Sequence, residues 1–258
     1  MRRRQDAHRT RWIPDDDGVM SNDNIRPGLP SLAQLAHRKI RLPLSDEGID
    51  LGAITLGDRI GNAGHYGYLY TIVGQPHTLL KLIHLARSGP PSVVRQVYGY
   101  RLIEAFAAEI PTVKIIASHC GGDREASYLI VENLYHGRWA NRAVVAAPSA
   151  LGEGERGAAR RLYDDLAERG IIAADCHKDN LFFFFGSDGE LMAGILDHDY
   201  IFKVEDIARL RQHAVKRLFS LAGPVGGPAW SAVDRAVKGL SISAKEFMEV
   251  FYQIKIAV

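Results

Sequence analysis

Three side chains in the second half of the sequence have the types and spacing that phosphoryl transfer demands. The stretch AADCHKDNLFFFF carries Asp175 and Asn180 five residues apart, and AGILDHDY places Asp197 seventeen residues after Asn180. Moving a phosphoryl group calls for a carboxylate beside the attacking hydroxyl and for hard oxygen ligands to the Mg²⁺ that bridges the phosphates. An Asp and an Asn on one loop can supply the base and one metal ligand, and an Asp at the end of a neighbouring strand supplies the main metal ligand. Each residue alone could equally cap a turn or end a strand. The three at this spacing, with the hairpin sequence LFFFF-GSDGE-LMAGIL between them, favour chemistry.

A second group lies upstream. IGNAGHYGYLY clusters Gly61, Gly64 and Gly67, where the backbone can approach a phosphate closely because no Cβ intervenes. A glycine cluster by itself is usually only a hairpin turn. Fourteen residues past Gly67, LLKLI sets Lys81 in an apolar strand pattern. A lysine there needs an anionic partner if it is buried, since an unpaired buried charge is costly. Phosphates and a helix carboxylate would satisfy it. Glu104, in mid-helix, is the first candidate partner, and Glu109, just before Pro111, is the second. The bland alternative is an edge-strand lysine that points to solvent. YLIVENL, Tyr128 to Leu134, reads as a buried strand running into a connection.

Together these residues resemble the protein-kinase superfamily, in which a catalytic loop D-x-x-x-x-N precedes a metal-binding D-F-G and a glycine-rich loop precedes a strand lysine. The resemblance covers residues 54–205. It implies an α+β, bilobal protein-kinase-like fold, with a small lobe of antiparallel sheet plus one main helix and a reduced, mainly helical large lobe. It implies ATP and Mg²⁺ as cofactors. Gly61, Gly64, Gly67, Lys81 and the hinge groups from Glu132 to Leu134 would bind the nucleotide, and Asn180 and Asp197 would hold the metal. Asp175, Lys81 and Glu104 would be the catalytic residues.

The departures are informative. Ala173 and Ala174 stand where most protein kinases have His and Arg, so switching by activation-loop phosphorylation is not expected. His198 and Asp199 replace the Phe and Gly of D-F-G, and Asp199 is open to a metal-binding or a structural role. Compact kinases that bacterial pathogens deliver through a type III apparatus resemble the chain in the missing arginine, the short large lobe with about 60 residues after Asp197, and the free N-terminal tail. That branch implies a monomeric enzyme that phosphorylates hydroxyl side chains of a host protein, a chaperone or signalling protein, on Ser or Thr rather than Tyr. The runner-up is the aminoglycoside and choline kinase type. DCHKDN resembles its D-L-H-x-x-N, and ILDHDY its I-D-x-x-D with the second Asp one residue early. Only about 40 residues separate Leu134 from Asp175, little room for the lid those enzymes carry. The third reading is a pseudokinase scaffold, which the retained Lys81, Asp175, Asn180 and Asp197 disfavour.

The elements that must position these residues follow from periodicity. Strands are predicted at Ile54 to Ile60, Tyr66 to Val73, Thr78 to Ile83, Thr112 to Ser118 and Ser127 to Glu132, with a helix from Ser92 to Glu109. Later come helices at Glu153 to Arg169, Val204 to Leu221, Trp230 to Gly239 and Ala244 to Ile254. The expected organisation is a tail and loosely attached lead-in over 1–50 with a short helical candidate at Ser31 to His37, a nucleotide-binding lobe over 51–134, and a catalytic lobe over 135–258.

Composition bounds the rest. The 258 residues are 47% hydrophobic and 24% charged, ordinary for a globular protein, and the net charge of +2 gives no reason to expect a nucleic-acid partner. No apolar run approaches the ~18 residues of a membrane span. Cys120 and Cys176 are too few for a disulfide framework. A soluble protein is expected, cytoplasmic or exported without a cleaved signal. Cys176 is expected to be a packing residue, and Trp139 a core or lobe-contact residue.

Overall fold

The computed structural model describes residues 20–21, 34–61, 67–83, 92–121, 127–146 and 148–257. Short, alternating apolar segments build the first half. Strands β1 (Met20–Ser21), β2 (Lys39–Arg41), β3 (Ala53–Ile60), β4 (Gly67–Ile72), β5 (Thr78–Ile83), β6 (Ile115–His119) and β7 (Ser127–Glu132) form one sheet in the order β1-β2-β3-β4-β5-β7-β6. Every neighbouring pair is antiparallel except β1 with β2. Successive side chains of a strand face opposite sides of the sheet. In β5, Leu80 and Leu82 enter a buried cluster with Leu56, Tyr70, Tyr128 and Ile130. Ile83 lies on the other face, packed with Val93 of helix α1 (Ser92–Phe106). Lys81 shares that face with Ile83, so strand alternation alone turns it toward α1.

Gly67 has a packing role at this point. A Cβ there would collide with the carbonyl oxygen of Leu82 on the adjacent strand. Its lack of a side chain therefore serves the β4–β5 approach. Gly61 ends β3 with φ +67°. Gly64 lies outside the described residues, as do residues 31–33 of the helical candidate at Ser31 to His37. Of that candidate, 34–37 are described and form turns, with His37 at φ +62°.

Where the lead-in over 1–50 is described, it is built into the sheet and not loosely attached. Leu35, Ile40 and Leu42 are buried in the same cluster as Leu56 and Tyr70. The Glu47 carboxylate accepts from the Ser118 N–H at 2.8 Å and its hydroxyl at 2.6 Å, and the Tyr128 hydroxyl donates to the Pro43 carbonyl at 2.9 Å. Three apolar residues with a period broken by Arg38 and Arg41 were too short a signal for a strand.

The second half is mainly helical. Helices α2 (Glu153–Glu168), α3 (Gln212–Ala222), α4 (Pro228–Val237) and α5 (Ala244–Lys255) surround two small sheets. One sheet is β11 (Leu191–Ile195), β10 (Leu181–Phe185) and β8 (Val145–Ala146); the other pairs β12 (Ile201–Lys203) with β9 (Ile171–Ala173). Leu162 and Leu166 of α2 pack with Ile171, Phe183, Leu218, Val233, Phe247 and Phe251 in one core, which also takes up Cys176. The α1 helix stops at Phe106, short of the predicted Glu109. The segment Val204–Arg209 is 3-10 helix, and α3 begins only at Gln212, because Leu210 and Arg211 are extended.

A seam joins the halves. The Val113 N–H donates to Ile195 C=O at 3.0 Å and the Ile195 N–H to Pro111 C=O at 2.9 Å. Val113, Leu134, Trp139, Phe182 and Phe184 close over it as a buried cluster, so Trp139 is a contact between the halves. The fold is α+β; among the described residues one helix lies on the sheet and the other four are gathered in the second half. Among the described residues, no helix is long and apolar enough to cross a membrane.

Candidate active site

The loop between β9 and β10 carries Asp175 and Asn180, and their positions are fixed by backbone. The Asn180 Nδ2 donates to the Asp175 carbonyl at 2.7 Å, and the Leu196 N–H donates to the Asn180 carbonyl at 2.9 Å. Asp197 therefore leaves the end of β11 directly beside the loop. Lys81 reaches it from the sheet, with Nζ donating to Asp197 Oδ2 at 2.8 Å and to Gln96 Oε1 at 2.9 Å. The Gln96 amide is held in turn, donating from Nε2 to the Ser92 hydroxyl at 3.1 Å. Burial pushes the Asp197 carboxyl up, but Lys81 and the Asp199 N–H outweigh it and hold Asp197 below the usual carboxylate range.

The helix partner of Lys81 is Gln96, and not Glu104 as the sequence suggested. Glu104 accepts from the Tyr100 hydroxyl at 2.6 Å, and Glu109, the second candidate, pairs with Arg169. The reason is register. Eight residues separate Gln96 from Glu104, roughly 12 Å along a helix axis and about 80° around it. Only the first turns of α1 lie over β5, so Glu104 is carried past Lys81. A search for carboxylates passes over an amide that can accept the same hydrogen bond.

Two residues beyond Asp197, a buried ion pair fastens the loop to α1. Arg95 donates from Nε to Asp199 Oδ1 at 2.6 Å and from a terminal nitrogen to Oδ2 at 3.1 Å. The Asp199 N–H donates to Asp197 Oδ1 at 3.0 Å. Burial raises Asp199 to about 6, with Arg95 pulling it back down and Asp197 adding to the rise. Asp199 is thus a structural carboxylate that aims Asp197. His198 is buried against the Tyr100 ring, shares a hydrogen bond with the Thr112 hydroxyl, and is lowered to about 4 by burial, so it is neutral. Tyr200 takes φ +61°, a left-handed conformation that an L side chain adopts only under constraint. Its ring lies under the Arg95 guanidinium at 4.9 Å. Sequence spacing marked 198 and 199 as departures, but Arg95, the partner of Asp199, carries no motif signal.

Gly99 lets α1 sit on this loop. A Cβ there would collide with the His198 carbonyl oxygen and stand 3.1 Å from Ile201 Cβ. Gly99→Ala should therefore lift α1 from the loop and cost ~1–3 kcal/mol, the usual range for overpacking. A thermal melt measures this, and an unchanged Tm would disprove the close packing.

Asp175 is 8% exposed, and burial raises its pKa, His177 opposing and Asp197 adding to the rise. His177 Nε2 stands 3.5 Å from Asp175 Oδ1. A base must be ionised to work. A raised pKa means that Asp175 becomes protonated, and inactive, at a higher pH than an ordinary aspartate at about 3.9. The acid limb of a kcat/KM profile should lie above that range. His177→Gln, which removes the charge that lowers Asp175, should move it further up; a downward or null shift would contradict the assignment.

Glu132 ends β7 with its carboxylate on Arg138, 2.8 Å from the guanidinium. Leu134 is buried in the seam, and its backbone N–H and C=O make no hydrogen bond among the described residues. For a metal, Asp197 and the Asn180 amide oxygen offer hard oxygen donors. Among the described residues no group of three or more His, Cys, Asp or Glu could hold a metal by itself. A sparse oxygen set of this kind suits Mg²⁺, which takes one or two protein ligands and completes its shell with phosphates and water.

Among solved structures the chain is similar to protein kinase domains. The BubR1 kinase domain aligns over 92% of this chain and 86% of its own, at 12% identity and a TM-score of 0.44. The Mycobacterium tuberculosis PknI kinase domain aligns over 78% of this chain and 95% of its own, at 16% identity and a TM-score of 0.39. No protein-family model and no curated protein matches the chain. At these identities and scores the likeness carries no residue role over to this chain, and the functional reading rests on the side chains just described.

Proposed function

We propose that the chain is an ATP-dependent phosphotransferase that transfers the γ-phosphoryl group of ATP to a hydroxyl side chain of a protein. The observation that carries this reading is the Lys81–Asp197 ion pair at 2.8 Å, made between residues 116 apart in sequence and set beside Asp175 and Asn180. A lysine, two oxygen ligands and a buried carboxylate are the groups that phosphoryl transfer requires.

Lys81 moves from Asp197 to the α- and β-phosphates, and Gln96 keeps hold of its ammonium during the change. Asp197 and the Asn180 amide oxygen would hold Mg²⁺, which would supply charge neutralisation for the phosphates. Asp175 orients the acceptor hydroxyl and takes its proton as the acceptor oxygen bonds to phosphorus and the bond to ADP breaks. Gly61 and Gly67 let the backbone approach the phosphates, and the Leu134 peptide groups meet the adenine edge. Positioning and charge neutralisation supply the acceleration.

Within this class we assign the chain to the compact effector-type protein kinases that act as monomers on Ser or Thr of a host protein. Two features support a kinase assembled without a switch. Ala173 and Ala174 are buried, leaving no cation there for a phosphorylated loop, and the Arg95–Asp199 pair already holds the loop after Asp197 against α1.

Mg-ATP binding is the test. At a hundredfold excess over Kd, a ligand should stabilise the fold by about 2.7 kcal/mol, several degrees in Tm for a chain of this length. Lys81→Met should weaken binding about tenfold or more, the loss of a charge-assisted contact. A folded wild-type protein that Mg-ATP does not stabilise would overturn the proposal.

A further inference from the structure

Lys81 is held from two sides, one charged and one neutral. Its Nζ donates to Asp197 Oδ2 at 2.8 Å and to Gln96 Oε1 at 2.9 Å. An ammonium has three donors and no acceptor, so the Gln96 amide must turn its oxygen to Lys81. The amide nitrogen then donates to the Ser92 hydroxyl at 3.1 Å, which fixes that orientation. Gln96 and Ser92 are both buried, so the mount is closed to water.

Helix α1 brings no negative charge to this place. From Ser92 to Ile103 it carries no acidic residue, and Glu104 and Glu109 are engaged with Tyr100 and Arg169. It brings the cation Arg95, whose charge is met by Asp199 through contacts at 2.6 and 3.1 Å. That ion pair and the close approach of Gly99 to the His198 carbonyl already fasten α1 to the loop. Lys81 is therefore not needed as the helix anchor. Among the described residues, the one carboxylate paired with it is Asp197. A phosphate that draws Lys81 off Asp197 meets an ammonium whose remaining partner is neutral, and the full charge acts on the phosphate.

We propose that Gln96 is a positioning residue that keeps the Lys81 charge available to polyphosphate, so that the site binds a nucleoside triphosphate with or without a divalent cation. The inference rests on the phosphotransferase reading and states which ligand forms its nucleotide site accepts. A carboxylate in place of the amide would stand beside the phosphates, and like charges repel strongly where water is largely excluded. Without the divalent cation the triphosphate is more negative by about two charges, so that repulsion falls mainly on the metal-free form. The neutral amide removes it.

Isothermal titration of the full chain with ATP, in excess Mg²⁺ and in EDTA, gives the ratio of the two Kd values. Wild type should bind in both, about tenfold more weakly in EDTA. Q96E should raise that ratio by a further tenfold or so, losing affinity in EDTA while Mg-ATP stays within about threefold. Q96M, neutral and of similar length but with no amide oxygen, should weaken both forms alike and leave the ratio unchanged. A merely structural Gln96 would shift both Kd values in both variants and leave the ratio alone in Q96E, which would overturn the proposal. A second arm does not depend on Q96E folding: inorganic tripolyphosphate in EDTA should raise the Tm of wild type and not that of K81M. Stabilisation of wild type by Mg-ATP, with none by ATP or tripolyphosphate in EDTA, would overturn this inference and leave the phosphotransferase standing. Tripolyphosphate that stabilises K81M equally would also overturn it, and binding of none of the three ligands would sink both readings.

Discussion

Arg95→Met should be among the most damaging single substitutions in the chain, lowering stability at neutral pH by about 3–5 kcal/mol, the cost of leaving one member of a buried ion pair alone. Asp199 loses both guanidinium contacts yet remains buried, keeping the Tyr200 N–H that donates to it at 3.1 Å. The pH dependence identifies the cause. Asp199 already has a folded-state pKa of about 6, raised above its unfolded value, and without Arg95 it rises further. A carboxylate with a raised folded pKa destabilises the fold once pH exceeds its unfolded pKa, and fully once pH passes the folded pKa. The deficit of Arg95→Met should therefore be largest at neutral and alkaline pH and shrink as pH falls toward 5. Asp199→Asn in the same chain should recover most of the loss, because the uncompensated charge is gone. Urea denaturation of the two single variants and the double variant measures the coupling. Additive losses in the double variant would show that the pair does not hold the loop.

Asp197→Asn should abolish transfer while keeping the fold. The amide oxygen can still accept from Lys81 or from the Asp199 N–H, which in the wild type bond different oxygens, so one of the two contacts is lost and Tm should fall by only a few degrees. Activity should fall about 10³-fold or more, the size of effect seen when one group that balances developing charge is removed. Stability carries a second signature. Asp197 has a depressed folded pKa, so its contribution is present above the unfolded pKa and lost as pH falls through the folded pKa. That acid-side loss should be weaker in the variant. Transfer within about threefold of wild type would remove Asp197 from the metal site.

The parts of this site that could be read from the sequence are those set by local spacing. Asp175, Asn180 and Asp197 flank a hairpin whose length is fixed by the LFFFF and LMAGI strands, so the fold brings them together wherever that hairpin forms. Lys81 was legible for a similar reason, since alternation in TLLKLI sets its face. The partners that come from another element were not legible. Gln96 and Arg95 meet Lys81 and Asp199 only because Gly99 allows α1 to rest on the His198 carbonyl, and nothing in the local pattern reports which turn of a helix makes that contact. Short strands such as Lys39–Arg41 and Ile201–Lys203 were hidden for the same reason: three residues carry no period, and their pairing is decided by the strands beside them.

The central claim, that Asp175 is the base of a phosphoryl transfer to protein, is tested most directly by following labelled γ-phosphate from Mg-ATP. Wild type and Asp175→Asn are each offered a eukaryotic lysate and, separately, a mixture of small hydroxyl and amine compounds. Wild type should label particular lysate proteins, and Asp175→Asn should lose that label while still being stabilised by Mg-ATP. Label that persists in Asp175→Asn, or that appears only on the small compounds, would contradict the account.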